Sequence, residues 1–420
     1  MLRVRQRARI SIACMTGMLL AGCEPAPGRA DLDAIASRYI QLVQDLARHD
    51  PSLIDHWLVE PPVDPAVGRQ PVALLRGAVD ALARDADAAV LDVEGLERER
   101  AAWLAGQAHA LQLVSGRLMG ESVPFDAEAR LAFGISPQRA DRFRADRAHE
   151  ALASELPGEG TLAVRLAAFR ARFQVPPEAR DTVMRAALAA CREATGTVLA
   201  LPADDSIEVA FVDGLPWDAH ARYLGAHRTR IEIDGSQPLD LTRALRVACH
   251  EGAPGHHAQH LWVADELVGQ RRWREHAMVT GFGPALLLAE GGAEVGADLA
   301  MPAERRQAVY RERLVPAAGL AHLTAHDLDR LVRVEEAQAA LEPLIGDIAR
   351  EYLDNRINAT TAAERLEREV LLPGAEAFVF FIERRRTRIL AYTDGRRLVL
   401  ERLGQTGLSG LHAVFVRPAP

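Results

Sequence analysis

Lysine is absent from the chain: its 50 basic side chains are all arginine, and 58 acidic ones outnumber them. The resulting net charge of -8 offers no positive field to neutralise a phosphate backbone, which speaks against a nucleic-acid binder. The arginine-only set and the abundant alanine read as compositional bias and carry no mechanism. Internal repeats and low-complexity segments are missing. So are a Gly-x-Ser-x-Gly elbow, a phosphate loop and a dinucleotide fingerprint, which removes three common routes to catalysis or nucleotide binding. Beyond residue 23 no apolar run has the length and purity of a transmembrane helix. Cysteine is scarce, with Cys14 and Cys23 near the N-terminus and only Cys191 and Cys249 left for the folded body. That leaves room for one disulfide in an oxidising compartment, which spacing alone does not decide.

What is present is a globular composition, 49% hydrophobic and 26% charged over 420 residues. The first residues have the charged-then-apolar order of a secretory signal: Arg3, Arg5, Arg7 and Arg9, then Ile10 through Met18, Leu19 and Leu20. Leu20-Ala21-Gly22-Cys23 resembles the bacterial lipobox, in which the cysteine is lipidated and becomes the first residue of the mature protein. The expectation is a signal peptide over 1–22, a tether over 23–31, and a membrane anchor through Cys23. Glu24 in place of aspartate favours sorting to the outer membrane, with the protein facing the periplasm.

Apolar residues recur at helical spacing over 30–47, 72–88, 97–118, 127–133, 161–172 and 180–197, separated by Pro/Gly loops. Period-two alternation occurs at 206–212 and again at 228–234, which predicts a small β-hairpin near the active site. Helical pattern resumes near Leu241 and runs to Leu403. The fold class expected is mainly α, a multi-helical body with an N-terminal lobe over 32–200 and a catalytic lobe over 201–420.

The chemistry concentrates in Cys249-His250-Glu251-Gly252-Ala253-Pro254-Gly255-His256-His257-Ala258-Gln259-His260. A chelating helix usually offers His at i and i+4 with Glu at i+1 as base. Here Pro254 occupies i+4, so a regular helix cannot run through this point. A two-residue bulge at Pro254-Gly255 would move His256 into the place one turn after His250. His256 is then the favoured second ligand, and His257, the alternative, falls to a supporting or substrate-facing position. A third ligand must come from another element. Glu290 follows three leucines and precedes Gly291-Gly292, a core-facing site where an acid wants a partner. Glu294, on the same helical face, is placed to orient a ligating histidine. A Cys249–His250 thiol-imidazole pair is disfavoured, because adjacent helical residues point about 100° apart.

His-Glu-x-x-Pro-Gly-His-His followed by Ala-Glu-Gly-small-Ala resembles the bacterial family called domain of unknown function 885, which is similar to zinc metallopeptidases of the His-Glu-x-x-His type. Pro216-Trp217, Tyr223-x-Gly225, Ala300-Met301-Pro302 and Ala391-Tyr392-x-x-Gly395 fall in the same order, so the resemblance covers roughly residues 100 to 403. It implies one Zn2+ per chain on His250, His256 and Glu290, with Glu251 as general base on a zinc-bound water. The reaction implied is hydrolysis of a peptide or related amide. Tyr392 is the first choice to stabilise the oxyanion, with Tyr223, His227 and Arg388 behind it. Ala253 and Val295 stand where relatives often carry an aromatic residue and a tyrosine. The contrasting reading is a catalytically silent envelope lipoprotein that holds metal or binds a peptide. Glu251 separates the two, since a structural metal site needs no base.

Overall fold

The computed structural model describes residues 31–61, 69–215 and 217–417. The signal segment with Cys23 and most of its tether, and Pro216, lie outside the described residues. Helix α1 (Leu32–Ala47) starts where the Asp31 side chain accepts from the backbone N–H groups of Asp33 and Ala34. It buries Leu32, Ile35, Tyr39, Ile40, Leu42, Val43 and Leu46, the stripe its spacing predicts. With α2 (Val72–Asp92) and α3 (Gly95–Leu118) it encloses one apolar core, which Met278 and Phe282 complete from further along the chain.

A second and larger core unites α4 (Phe125–Phe133), α5 (Arg142–Glu155), α6 (Leu162–Ala171) and α7 (Arg180–Gly196) with the helices that follow. These are α8 (Leu241–Glu251), α9 (His256–Trp262), α10 (Gly283–Ala300), α11 (Ala303–Val309), α12 (Val315–Ala318) and α13 (Ala325–Ala339). The chain then runs through α14 (Pro343–Leu353), α15 (Ala359–Arg365), α16 (Ala375–Arg385), α17 (Leu390–Leu403) and α18 (Leu411–Val416). The fold is mainly α, as the sequence predicts. Among the described residues no helix is long and apolar enough to cross a membrane. Cys191 on α7 and Cys249 on α8 form a disulfide, which ties these two helices together.

Helix α10 is the spine between the cores. Leu286 and Leu287 join Leu113 of α3, Phe133 of α4 and Ala391 of α17 in a bridging cluster. Against α17 the approach is backbone to backbone: a Cβ on Gly291 would overlap the main chain of Gly395, and one on Gly395 would overlap the Leu287 carbonyl.

Strands β1 (Ile54–Trp57), β2 (Ser206–Val212), β3 (Ala219–Gly225), β4 (Arg228–Asp234) and β5 (Met278–Thr280) form two small sheets. β1 pairs antiparallel with β5, and the other three lie in the order β2-β4-β3. The expected hairpin is corrected here. The alternating segments at 206–212 and 228–234 are neighbours, but they run parallel, from Ser206↔Arg228 to Val212↔Asp234. The hairpin arms are β3 and β4, joined through Ala226 and His227, both at positive φ as a tight two-residue turn demands. Strand β3 escapes the sequence reading because one of its two buried positions, Ala221, is too small to register as an apolar beat beside Tyr223. Helix α5 was missed for a related reason, since its buried residues are mostly alanine.

Candidate metal centre

Asp240 caps α8, accepting from the N–H of Arg243 at 2.8 Å, and the helix runs to His250 and Glu251 in its last turn. There the regular ladder stops. Gly252 N donates to Ala248 O at 3.0 Å, the Ala253–Pro254 bond is cis, and Gly255 N donates to Cys249 O at 3.1 Å. A side chain at Gly255 would overlap the His250 carbonyl, so glycine is what lets the chain fold back this tightly. Helix α9 begins at once with His256. The interruption brings the His250 and His256 rings edge to face, 4.8 Å between centroids and 83° between planes.

From α10, Glu290 points into the same space. Its Oε2 is 3.4 Å from His250 Nε2 and 3.5 Å from His256 Nε2. One donor atom from each of the three residues lies within 4.8 Å of the others. Around a tetrahedral zinc with ligands at roughly 2.0–2.1 Å, donors stand about 3.3 Å apart. The two Glu290 spacings fit such an ion, and the three residues supply three of the four positions it takes. Glu294, one turn along α10, makes an ion pair with His250 Nδ1 at 3.1 Å. The other oxygen of Glu290 accepts from Arg388 Nη2 at 3.2 Å.

The electrostatics follow from this crowding. Burial alone would push the His250 imidazolium down, but Glu294, Glu290 and Glu251 outweigh it and hold the ring well above its ordinary value. His256 is raised for the same reason, against its burial, by Glu290 and Glu251. Burial would raise Glu290, yet the two imidazoles and Arg388 keep it far below the usual carboxylate range. Glu251 is 7% exposed, and its Oε2 has no hydrogen-bond partner among the described residues. A buried carboxylate oxygen without a partner is costly, and here it faces the cleft onto which the donor triangle opens.

That cleft encloses about 480 Å³. Besides the triangle and Glu251 it is lined by Trp217, His220, Arg222, Phe381, Arg385 and Tyr392, among others. The half-buried Tyr392 phenol lies beside Arg388 and is pushed above its ordinary value by burial and then by Glu290. A larger hollow of about 750 Å³ lies between α6 and the 359–379 segment, without a comparable set of convergent titratable groups.

Of the residues singled out from sequence, His250, Glu251, His256, Glu290, Glu294, Arg388 and Tyr392 come together. Three do not. His257 is fully buried with its face turned away from the triangle, Nδ1 2.8 Å from Thr229 Oγ1 and Nε2 3.0 Å from Asp205 Oδ2; it faces no substrate. Adjacent residues on α9 point in different directions, and His256 has taken the one that faces Glu290. Tyr223 shares the core-facing side of β3 with Ala221, and its hydroxyl accepts from His227 N at 3.2 Å. His227 is held at the β3–β4 turn between Asp204 at 2.9 Å and Asp265 at 3.1 Å. Neither Tyr223 nor His227 lines the cleft. Conversely, the sequence reading missed Asp55, His220 and Arg385, which do line it. Only long-range contacts place them there, with no local spacing to reveal it.

No protein-family model matches the chain, and no curated protein matches it. Among solved structures, it is similar to a "putative lipoprotein" from Colwellia psychrerythraea, at 15% identity and a TM-score of 0.49, covering 83% of this chain and 67% of that one. It is also similar to a "putative lipoprotein of unknown function" from Shewanella oneidensis, at 10% identity and a TM-score of 0.43, covering 91% of this chain and 72% of that one.

Proposed function

We propose that the chain is a zinc-dependent hydrolase of the bacterial cell envelope that cleaves a peptide or a related amide. The observation that carries this reading is the free Oε2 of Glu251, buried beside a His250/His256/Glu290 triangle of zinc-like dimensions. A zinc ion held by those three residues would supply Lewis acidity, polarising the scissile carbonyl and bringing a water's pKa towards neutrality. Glu251 takes the proton of the attacking water and returns it to the leaving amine. Tyr392, with Arg388 beside it, donates to the oxyanion as charge develops on the carbonyl oxygen. Glu294 holds the His250 ring in its ligating orientation. The motif resemblance to domain of unknown function 885 points to the same roles.

The envelope setting is supported by the signal-like N-terminus, the lipobox ending at Cys23, and the Cys191–Cys249 disulfide, which suits an oxidising compartment. In this reading the lipidated Cys23 anchors the protein to the outer membrane, facing the periplasm.

The test is a pair of variants assayed with a peptide library and by elemental analysis. Glu251→Gln is expected to keep the zinc of this site and to lose hydrolysis by about 10²–10⁴-fold. His256→Ala is expected to lose that zinc. Hydrolysis at the parent rate by Glu251→Gln overturns the reading.

A further inference from the structure

Another wall of the cleft carries a second convergence of donors. Asp55 and His56 lie on β1 and His220 on β3, and one donor atom from each falls within 4.8 Å of the others. Asp55 Oδ2 sits between the two rings, 3.1 Å from His56 Nδ1 and 2.7 Å from His220 Nε2.

In a regular strand Asp55 and His56 would point to opposite faces and could not meet at one point. The β1–β5 register breaks at this place: Ile54 pairs with Thr280 and His56 with Val279, leaving Asp55 without a partner in the ladder. A bulge of this kind re-aims a side chain, and here it turns both residues to the same spot. His56 is buried, its ring turning Nδ1 to Asp55, and the other nitrogen, Nε2, has no hydrogen-bond partner among the described residues. That ring stands edge to face with His260, 4.9 Å between centroids and 82° between planes, nearly the geometry of the His250–His256 pair. Across the ladder from His220 lies Glu232, a further carboxylate lining the same cleft.

We propose that Asp55, His56 and His220 form a second metal site, for Zn2+ or a related divalent transition metal. Two imidazoles and a carboxylate are a donor set such ions take, and the separations of 2.7 and 3.1 Å, hydrogen-bond distances here, have only to widen to about 3.3 Å to surround one. The site is distinct from the first in its donors: the two groups share no residue, and the His260 ring lies against both, 6.0 Å from His256 and 4.9 Å from His56 between centroids. An ion held here turns its open positions to the cleft, where a carboxylate or carbonyl oxygen of a bound ligand can complete its coordination.

The test is zinc stoichiometry of the full chain, stripped with a chelator and titrated with Zn2+ by calorimetry. His250→Ala/His256→Ala closes the first site and His56→Ala/His220→Ala the second. Asp55→Asn serves as the conservative variant, with circular-dichroism melts to verify that each protein is folded. Two equivalents in the parent and one in each double variant are expected, with the second site of Asp55→Asn at least tenfold weaker. One equivalent in the parent, unchanged in His56→Ala/His220→Ala, overturns the second site and leaves the first standing. One equivalent that survives in His250→Ala/His256→Ala and vanishes in His56→Ala/His220→Ala supports the second site and removes the basis of the hydrolase reading. No binding at all overturns both.

Discussion

Glu294 Oε1 lies 3.1 Å from Nδ1 of His250, while Nε2 of the same ring faces Glu290 at 3.4 Å. A carboxylate thus stands at each edge of the imidazole. Carboxylates behind a ligating histidine typically contribute 10–100-fold in metal affinity. Glu294→Gln is expected to weaken zinc binding at this site by about that factor, measured by competition with a chromogenic chelator. An unchanged affinity would mean that His250 needs no such support.

In the proposed mechanism Tyr392 serves the transition state rather than the metal. Tyr392→Phe is expected to lower kcat by about 100–1000-fold, the usual cost of one oxyanion donor, with zinc content unchanged. The comparison of kcat with KM checks this, because a merely structural phenol would move the melting temperature and leave kcat alone.

His257 belongs to the scaffold. Its two nitrogens are satisfied by Thr229 and Asp205, so His257→Ala is expected to retain zinc and to cost about 1–3 kcal/mol of folding stability. The partner carboxylate gives a pH signature. Burial pushes Asp205 up, but hydrogen bonds from His257 and Arg192 outweigh it and hold the group at about 2. A carboxyl whose folded value lies below its ordinary 3.8 contributes stability that is complete above that value and is lost as pH falls towards 2. Denaturant midpoints across pH 5 to 2 are expected to fall less steeply in Asp205→Asn than in the parent.

The Cys191–Cys249 disulfide closes a segment with a sequence separation of 58. In the chain-entropy account, a loop of that size is worth about 4 kcal/mol. Reduction, or Cys191→Ala/Cys249→Ala, is expected to lower the denaturant midpoint accordingly. It is also expected to loosen zinc at His250, the residue directly after Cys249. Equal midpoints with and without reductant would remove the bond from the list of stabilising features.

The sequence was most informative where one physical cause acted alone. The stripe Leu32, Ile35, Tyr39, Ile40, Val43 and Leu46 could be read as α1 because its buried residues are large and evenly spaced. Pro254 at i+4 forced the interruption, and the shift of His256 into the ligand position followed from the proline's missing N–H. Other features depended on contacts that local spacing does not encode. The sequence favoured His256 over His257 through the bulge at Pro254-Gly255, but what holds His257, Asp205 and Thr229, lies fifty-two and twenty-eight residues away. Tyr223 sits in a suggestive position in the chain, but the pleat of β3 turns it into the core. Asp55 and His56 lie in a segment with no motif at all, and it took the bulge against β5 to bring them together.

Gly291 and Gly395 join α10 to α17 with no side chain between them, so the two helices have no layer of deformable packing across which to slide. Glu290 is next to one end of that junction, and Tyr392 lies one turn from the other. In the proposed mechanism a ligand of the ion and the donor to the oxyanion thus sit on one stiff jaw, while the facing side, β1 and the first three helices, has a core of its own. On that reading, changes at the facing side would broaden what enters the cleft while the proposed reacting geometry is left as it was.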